Sequence, residues 1–158
     1  MTSIQTLLTW DNPVFTAYVI AAALTVLKVM GQGWMTVWRF QTTGRGLASP
    51  EDAAKGLLNP APDPSQLELD DYVDRSRRMH RNDLENIPAF WMAGFLFVLI
   101  APAPWLAFAL FYGFLAARVG HFWAYATAQP HEIRATFYTI GSLIVIWMGV
   151  QVIWVVLT

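Results

Sequence analysis

The chain has 158 residues and a formal net charge of −1, and only 13% of its residues are charged while 56% are hydrophobic. Soluble domains carry about 25% charged residues, so this composition predicts an integral membrane protein and gives no indication of nucleic-acid binding. The sequence contains no cysteine. A disulfide framework, a thiolate metal site and a cysteine nucleophile are therefore excluded, and any sulfur chemistry must use the thiol of a bound molecule.

Four helical segments follow one another along the chain. Asn12-Pro13 is a typical N-cap and first helical position for the first of them. A loop rich in proline and glycine follows it at about residues 40–69, with one short helical turn expected after Ser49. We predict an all-α integral membrane protein with a single domain over residues 1–158. The predicted architecture is a four-transmembrane-helix bundle with spans at about 14–38, 70–101, 105–127 and 133–157.

The second helical segment changes in character near Ile87, where a charged half gives way to the apolar run AFWMAGFLFVLI. The whole segment would be about 50 Å long, well beyond a hydrocarbon core of about 30 Å, so its first half should project from the membrane. Seven of the ten lysines and arginines lie between residues 39 and 81. The positive-inside rule places this region in the cytoplasm, and the lack of cysteine and of a retention signal favours a bacterial inner membrane.

Polar side chains occur at helical spacing on three of the predicted spans. Each ionisable group at the centre of a bilayer costs about 2.5–3.5 kcal/mol, so these residues need an explanation. If the stripes converge, they form a cationic pocket for a small anionic molecule that also carries an amine. The residues are Arg78, Arg81, Asn82 and Glu85 on the second span, Arg118, His121 and Tyr125 on the third, and Arg134 and Tyr138 on the fourth.

Simpler interpretations stay open for part of this set. Arg75 and Arg77 are expected to form a collar that contacts solvent or lipid headgroups. Arg81 and Glu85 could form only an i,i+4 pair on the helix surface.

Inside the bundle, Asp83 is expected to pair with a neighbouring basic residue, and Arg118 to act as a structural charge partner between helices. Lys28 could reach the interface or pair with a carboxylate. His121 could be hydrogen-bonded packing rather than a ligand contact, and the three histidines do not have the spacing of a metal or haem site.

The stretch RRMHRNDLENIPAF, from Arg77 to Phe90, closely resembles the signature of the MAPEG superfamily, the membrane-associated proteins in eicosanoid and glutathione metabolism. SPEDA at 49–53, RVGHFWAYA at 118–126 and IRATFY at 133–138 extend the resemblance over nearly the whole chain from Lys28 onward. Within the family, HRNDLENI and the Arg134-Ala135 pair are most similar to the microsomal glutathione transferases. The prostaglandin E synthases are next, and they carry a serine where this chain has Ala135.

The resemblance implies a homotrimer of four-helix bundles that binds glutathione between neighbouring subunits at the cytoplasmic side. Arg134 is the position expected to stabilise the glutathione thiolate, with Tyr138 as a second donor. On the first span the corresponding arginine is Arg39, with Arg45 as the alternative. The remaining glutathione contacts implied by the resemblance are Arg78, Arg81, Asn82, Glu85, His121 and Tyr125.

The function implied is that of a glutathione transferase, a glutathione-dependent peroxidase, or both, acting in detoxification. Glutathione would be a co-substrate, and no metal is expected. The second substrate would be a lipophilic electrophile or a lipid hydroperoxide that enters from the bilayer between the first and fourth spans. The alternatives are a glutathione-dependent isomerase similar to prostaglandin E synthase and a non-catalytic lipid-binding scaffold of the same fold.

Overall fold

The computed structural model describes residues 4–158, and no strand occurs within that range. The prediction of an all-α protein is therefore confirmed. One short helix precedes four long ones, which begin and end close to the predicted spans. The helices are α1 (Ile4–Leu7), α2 (Pro13–Thr43), α3 (Asp71–Leu99), α4 (Pro104–Ala126) and α5 (His131–Leu157).

Three of these helices, α2, α4 and α5, are long and apolar enough to cross a membrane. This result agrees with the prediction of an integral membrane protein. The helix α3 is not among the three, because its first half is charged and only the part from Ile87 onward is continuously apolar. A count of four spans therefore stays a prediction.

Helix ends are set by local capping. The Asn12 side chain accepts a hydrogen bond from the Val14 amide at the start of α2, as predicted. At its other end α2 continues to Thr43, five residues past the predicted boundary, until Gly44 adopts a left-handed conformation with φ of 65°. The loop consequently begins at Gly44 rather than at residue 40. Asp70 caps α3 by accepting from the Val73 amide.

The loop between α2 and α3 is attached to the polar half of α3. It contains the short turn expected after Ser49, at Pro50–Ala53, and a second turn at Pro64–Leu67. The Arg77 guanidinium donates a hydrogen bond to the carbonyl of Gly46. Arg77 is therefore not a simple headgroup-facing residue, since it holds this loop against the helix.

The four long helices form a bundle in which α2 and α5 each pack against both α3 and α4. Aromatic rings fill the interior, for example Phe90 of α3 stacked on Phe114 of α4 with centroids 4.1 Å apart. The helices α2 and α5 lie diagonally opposite each other and have almost no mutual contact. A cleft between the first and fourth spans is therefore not formed within one chain.

A buried carboxylate links the four helices. Asp83 of α3 is fully buried, and it pairs with Lys28 of α2 and, at 3.3 Å, with Arg118 of α4. The Arg118 guanidinium also donates to the carbonyl of Phe137 on α5 at 3.1 Å. Asp83 thus pairs with basic residues and Arg118 is a charge partner between helices, as expected, and of the two alternatives for Lys28 the structure shows the pair with a carboxylate.

Replacing Asp83 by asparagine is expected to destabilise the bundle strongly. Removing one partner of a buried ion pair costs about 3–5 kcal/mol, and here two buried cations would lose their counter-charge. Thermal unfolding of the purified protein in detergent, followed by circular dichroism, measures the effect. The matched control is Asp52→Asn, which changes an exposed aspartate that forms no ion pair within residues 4–158. Equal melting temperatures for the two variants would contradict this account of the bundle.

Candidate functional site

The polar stripes predicted on three helices meet at one end of the bundle. The Asn82 amide of α3 donates to the Tyr125 hydroxyl of α4 at 2.7 Å. The Tyr138 hydroxyl of α5 donates to Glu85 of α3 at 3.2 Å. These two bonds connect α3 to α4 and to α5. The polar stripes that the spacing predicts on these three helices therefore meet in the structure.

Beside these contacts lies a small polar hollow of about 220 Å³ at the first turns of α3 and α5 and the end of α4. Three of its side chains are guanidinium groups and only one is a carboxylate, so its charge favours an anionic ligand. We call it the polar hollow; it is lined by Asp71, Arg75, Arg78, Tyr125, Ala128, Gln129 and Arg134.

Arg134 has the least satisfied guanidinium in the polar hollow. Its central carbon lies 4.8 Å from the centre of the Tyr125 ring, so the group is positioned by an aromatic contact. Its Nε atom is buried, and it has no hydrogen-bond partner among residues 4–158. A buried donor without a partner is uncommon and costly. Arg134 is therefore placed to donate to a ligand that enters the hollow.

The other two arginines of the hollow are engaged by aspartates of their own helix. Arg75 donates to Asp71 at 2.5 Å, and Arg78 donates to Asp74 at 2.5 Å and to Asp71 at 2.8 Å. The hydrogen bond from Arg75, followed by that from Arg78, holds the pKa of Asp71 below its ordinary value. The hydrogen bond that Arg78 donates to Asp71 is also the main cause that raises the pKa of Arg78. These pairs are largely exposed, and such pairs are weak enough for an incoming anion to exchange.

His121 and Arg118 lie behind the hollow rather than in its lining. Both are almost completely buried. The His121 ring packs 4.9 Å from the Tyr125 ring and 6.3 Å from the Tyr138 ring, and its Nδ1 lies 4.0 Å from an oxygen of Asp83. His121 therefore supports the two tyrosines that face the site and lies against the buried charge network.

Three further predicted residues lie away from the polar hollow. Arg81 is exposed and forms no ion pair or hydrogen bond within the described chain, so the proposed Arg81–Glu85 pair is absent. Arg39 is buried, donates to the Tyr72 carbonyl at 2.8 Å and stacks on the Tyr72 ring at 4.0 Å. Arg45 is exposed and pairs with Glu68.

The sequence interpretation missed part of the lining. The sequence predicts that Arg75 faces solvent or headgroups, whereas the structure places it in the lining together with Asp71 and Gln129. One signal was available, because Asp71, Arg75 and Arg78 have the i, i+4, i+7 spacing that continues the predicted stripe toward the start of α3. Gln129 lies in the short connection before α5, where periodicity gives no information.

No group of three or more histidine, aspartate or glutamate side chains in the described part of the chain is close enough together to hold a metal ion. The polar hollow accordingly offers donors for an anion rather than ligands for a cation.

Comparison with known proteins gives a consistent result. The model of the MAPEG family matches residues 16–154. The chain is 31% identical to human prostaglandin E synthase over 147 residues, which is 93% of each protein. It is 35% identical to human microsomal glutathione S-transferase 1 over 144 residues, 90% of this chain and 91% of the relative. The bovine microsomal glutathione S-transferase 1 is 33% identical over 143 residues. With most of its length matched to the family model and to these relatives, the chain belongs to the MAPEG family.

Proposed function

We propose that this protein is a membrane-bound glutathione transferase that holds glutathione as a thiolate beside Arg134. The observation that carries the proposal is the Arg134 guanidinium, which is fixed on the Tyr125 ring and has a buried Nε without a partner among residues 4–158. Relatives named glutathione S-transferase and prostaglandin E synthase match most of the chain and support the same chemistry.

The charges of the site complement those of glutathione, which carries two carboxylates, one ammonium and a thiol. Arg75 and Arg78 can exchange their exposed aspartate partners for ligand carboxylates, which guanidinium groups bind in a bidentate manner. Glu85 is exposed, and its one side-chain partner among residues 4–158 is the Tyr138 hydroxyl, so it can accept a hydrogen bond from the ammonium. Asn82 and His121 hold Tyr125 in place and act from behind the ligand.

Arg134 would activate the sulfur by electrostatic stabilisation. A cysteine-type thiol has a pKa near 8.5. Lowering that pKa by about two units requires roughly 2.7 kcal/mol of preferential stabilisation of the anion. One guanidinium that donates at close range in a partly desolvated site can supply this amount. The thiol proton leaves to solvent, and Tyr138 is proposed as the second donor to the thiolate.

The thiolate can then react with two classes of lipophilic substrate. Attack on an electrophilic carbon forms a carbon–sulfur bond and expels the leaving group with its electron pair, which is detoxification by conjugation. Attack on the terminal oxygen of a hydroperoxide forms a sulfur–oxygen bond, breaks the O–O bond and releases an alkoxide that takes a proton from water. The thiol of a second glutathione then attacks the resulting sulfenic acid, which forms the disulfide and releases water. The second reaction would make the protein a glutathione-dependent peroxidase.

We also propose that the working protein is a homotrimer with four spans per chain. The face of α3 that carries Arg81, Leu84, Glu85 and Met92 is exposed, although two of these residues are apolar and two are proposed to contact glutathione. A neighbouring chain on this face would complete a hollow that is smaller than most ligand sites of about 300–1,000 Å³. It would also bring α5 of one chain beside α2 of the next, where the lipophilic substrate could enter.

Two arginines remain candidates for the glutathione contact that the first span is proposed to supply. Arg39 is buried against Tyr72 of its own chain, and Arg45 is exposed with a single ion pair. The lack of cysteine supports a bacterial inner membrane as the proposed location, and the charge distribution supports the cytoplasmic side for the polar hollow and the 44–70 loop.

The second candidate activity is an isomerase similar to prostaglandin E synthase. The observation in its favour is the 31% identity to the human enzyme of that name over 93% of both chains. Ala135 follows Arg134 here and provides no hydroxyl beside the proposed thiolate. For this reason we place the transferase first. A lipid-binding scaffold would need no thiolate at all.

Replacing Arg134 by alanine is expected to abolish thiolate formation with little effect on the fold. Ultraviolet absorbance of the bound thiolate, recorded after glutathione is added to purified protein, measures this directly. Turnover of a chlorodinitrobenzene should fall by about twentyfold or more, because a pKa increase from about 6.5 to about 8.5 lowers the thiolate fraction at neutral pH from about three quarters to about 3%.

The control for this experiment is Lys55→Ala, which removes an exposed cation from the loop between α2 and α3. Thiolate absorbance as strong in Arg134→Ala as in wild type would refute the assigned role. Absence of both thiolate and turnover in the wild type would instead favour the scaffold.

Replacing Glu85 by glutamine is expected to weaken glutathione binding by about tenfold or more, the equivalent of one lost hydrogen bond to a charged group. Calorimetric titration gives the dissociation constant, and the exposed Glu51→Gln serves as the control. A glutathione analogue without the ammonium should bind the wild type and Glu85→Gln with equal affinity. An unchanged constant for Glu85→Gln would remove Glu85 from the site.

A further inference from the structure

A second, apolar cleft lies on the other side of the bundle, between α2 and α4. Its volume is about 560 Å³, within the range of about 300–1,000 Å³ that is usual for small-molecule sites. Its walls include Leu24 on α2 and Leu115, Val119 and Phe122 on α4. None of the residues lining this cleft belongs to the polar hollow. We call it the α2–α4 cleft.

One polar residue in the lining has no partner for its side chain. Gln32 is 1% exposed, and neither its amide nitrogen nor its amide oxygen has a hydrogen-bond partner within residues 4–158. Buried side-chain amides are nearly always paired, because a carboxamide in apolar surroundings otherwise loses all the hydrogen bonds that it makes in water. Gln32 is one of the residues that line the cleft, so a buried amide without a partner among residues 4–158 lies directly behind the apolar wall.

The second polar residue of the lining is Lys28, which belongs to a charge cluster with an excess of positive charge. Within residues 4–158, Lys28 and Arg118 pair with Asp83 and with no other carboxylate, so these three groups carry one excess positive charge. His121, charged or neutral, does not reduce this excess. The Lys28 side chain is 12% exposed and stands 5.6 Å from the centre of the Phe122 ring. Its ammonium has three N–H donors, and Asp83 accounts for one of them.

We propose that the α2–α4 cleft binds a long-chain carboxylate, with the carboxylate between Lys28 and Gln32 and the chain along Leu24, Leu115, Val119 and Phe122. The anion balances the excess charge of the Lys28–Asp83–Arg118 cluster, and it accepts hydrogen bonds from the ammonium and from the Gln32 amide. A neutral acyl ester of the same length would pack against the same apolar side chains, but it would not balance the excess positive charge of the cluster. This site does not depend on the glutathione chemistry proposed above.

Gly31 provides a way to block the cleft without damage to the helix. It lines the cleft, and a side chain built there meets no atom within 4 Å of its Cβ. Gly33 is two residues away on α2, is equally unobstructed and is not part of the lining. Gly31→Leu and Gly33→Leu therefore form a matched pair that differs only in occupation of the cleft.

The test is equilibrium binding of parinaric acid, a fluorescent long-chain carboxylate, and of its methyl ester to the full chain in lipid nanodiscs, with empty nanodiscs subtracted. We expect wild type and Gly33→Leu to bind the acid equally, and at least about tenfold more tightly than the ester because only the acid forms the charge-assisted bonds. Gly31→Leu should lose saturable binding of both. Lys28→Met, which leaves Asp83 paired with Arg118, should bind the acid and ester alike.

Glutathione binding, measured on the same samples, should be unchanged in Gly31→Leu, which separates this site from the polar hollow. Equal affinities of the wild type for acid and ester would overturn the proposal. So would unchanged acid binding in Gly31→Leu, which would place the probe at the general lipid surface. An absence of saturable binding in the wild type would also overturn it.

Discussion

Asp83 pairs with two cations inside the bundle, and this contact fixes the face of α3 that turns inward. Because an unpaired buried charge is so costly, α3 has one rotation that satisfies Lys28 on α2 and Arg118 on α4 together. Arg118 then reaches the Phe137 carbonyl and fixes α5 as well. Once Asp83 faces inward, helical geometry turns Asn82 and Glu85 toward α4 and α5.

The same constraint separates the arginines into two kinds. Arg118 has been withdrawn from solvent and is held by a carboxylate and a carbonyl, so it is a structural residue. Arg134 lies one turn into α5 at the edge of the polar hollow; it stacks on the face of Tyr125, and its Nε has no hydrogen-bond partner among residues 4–158. A guanidinium that is positioned but not neutralised suits a site that must stabilise an anion formed during a reaction. Arg118 therefore stabilises the bundle, whereas Arg134 remains available to a ligand.

Periodicity made most of this arrangement predictable. The apolar runs gave the long helices, the Asn12 cap gave the start of α2, and spacings of three and four residues gave the stripes that meet at Asn82–Tyr125 and Glu85–Tyr138. These features depend on residues near one another in the sequence, or on faces that any bundle must bury.

Features that depend on distant partners could not be predicted in the same way. Arg39 is bound to the backbone of Tyr72, 33 residues away, which no local pattern indicates. Arg75 could face headgroups or the hollow, and the position of the connection before α5 decides between them. The unpaired amide of Gln32 could not be predicted either, because its hydrogen-bond partners depend on which helices pack against it.

The central claim is that an anionic sulfur is bound at Arg134 in a site completed by a neighbouring chain. A cryo-electron microscopy structure of the protein in lipid nanodiscs with glutathione tests it most directly. The account predicts three chains per particle, with glutathione between neighbours and its sulfur within hydrogen-bonding distance of the Arg134 guanidinium, at about 3.0–3.5 Å given the size of sulfur. Glutathione bound with its sulfur away from Arg134, or a site formed entirely within one chain, would contradict it.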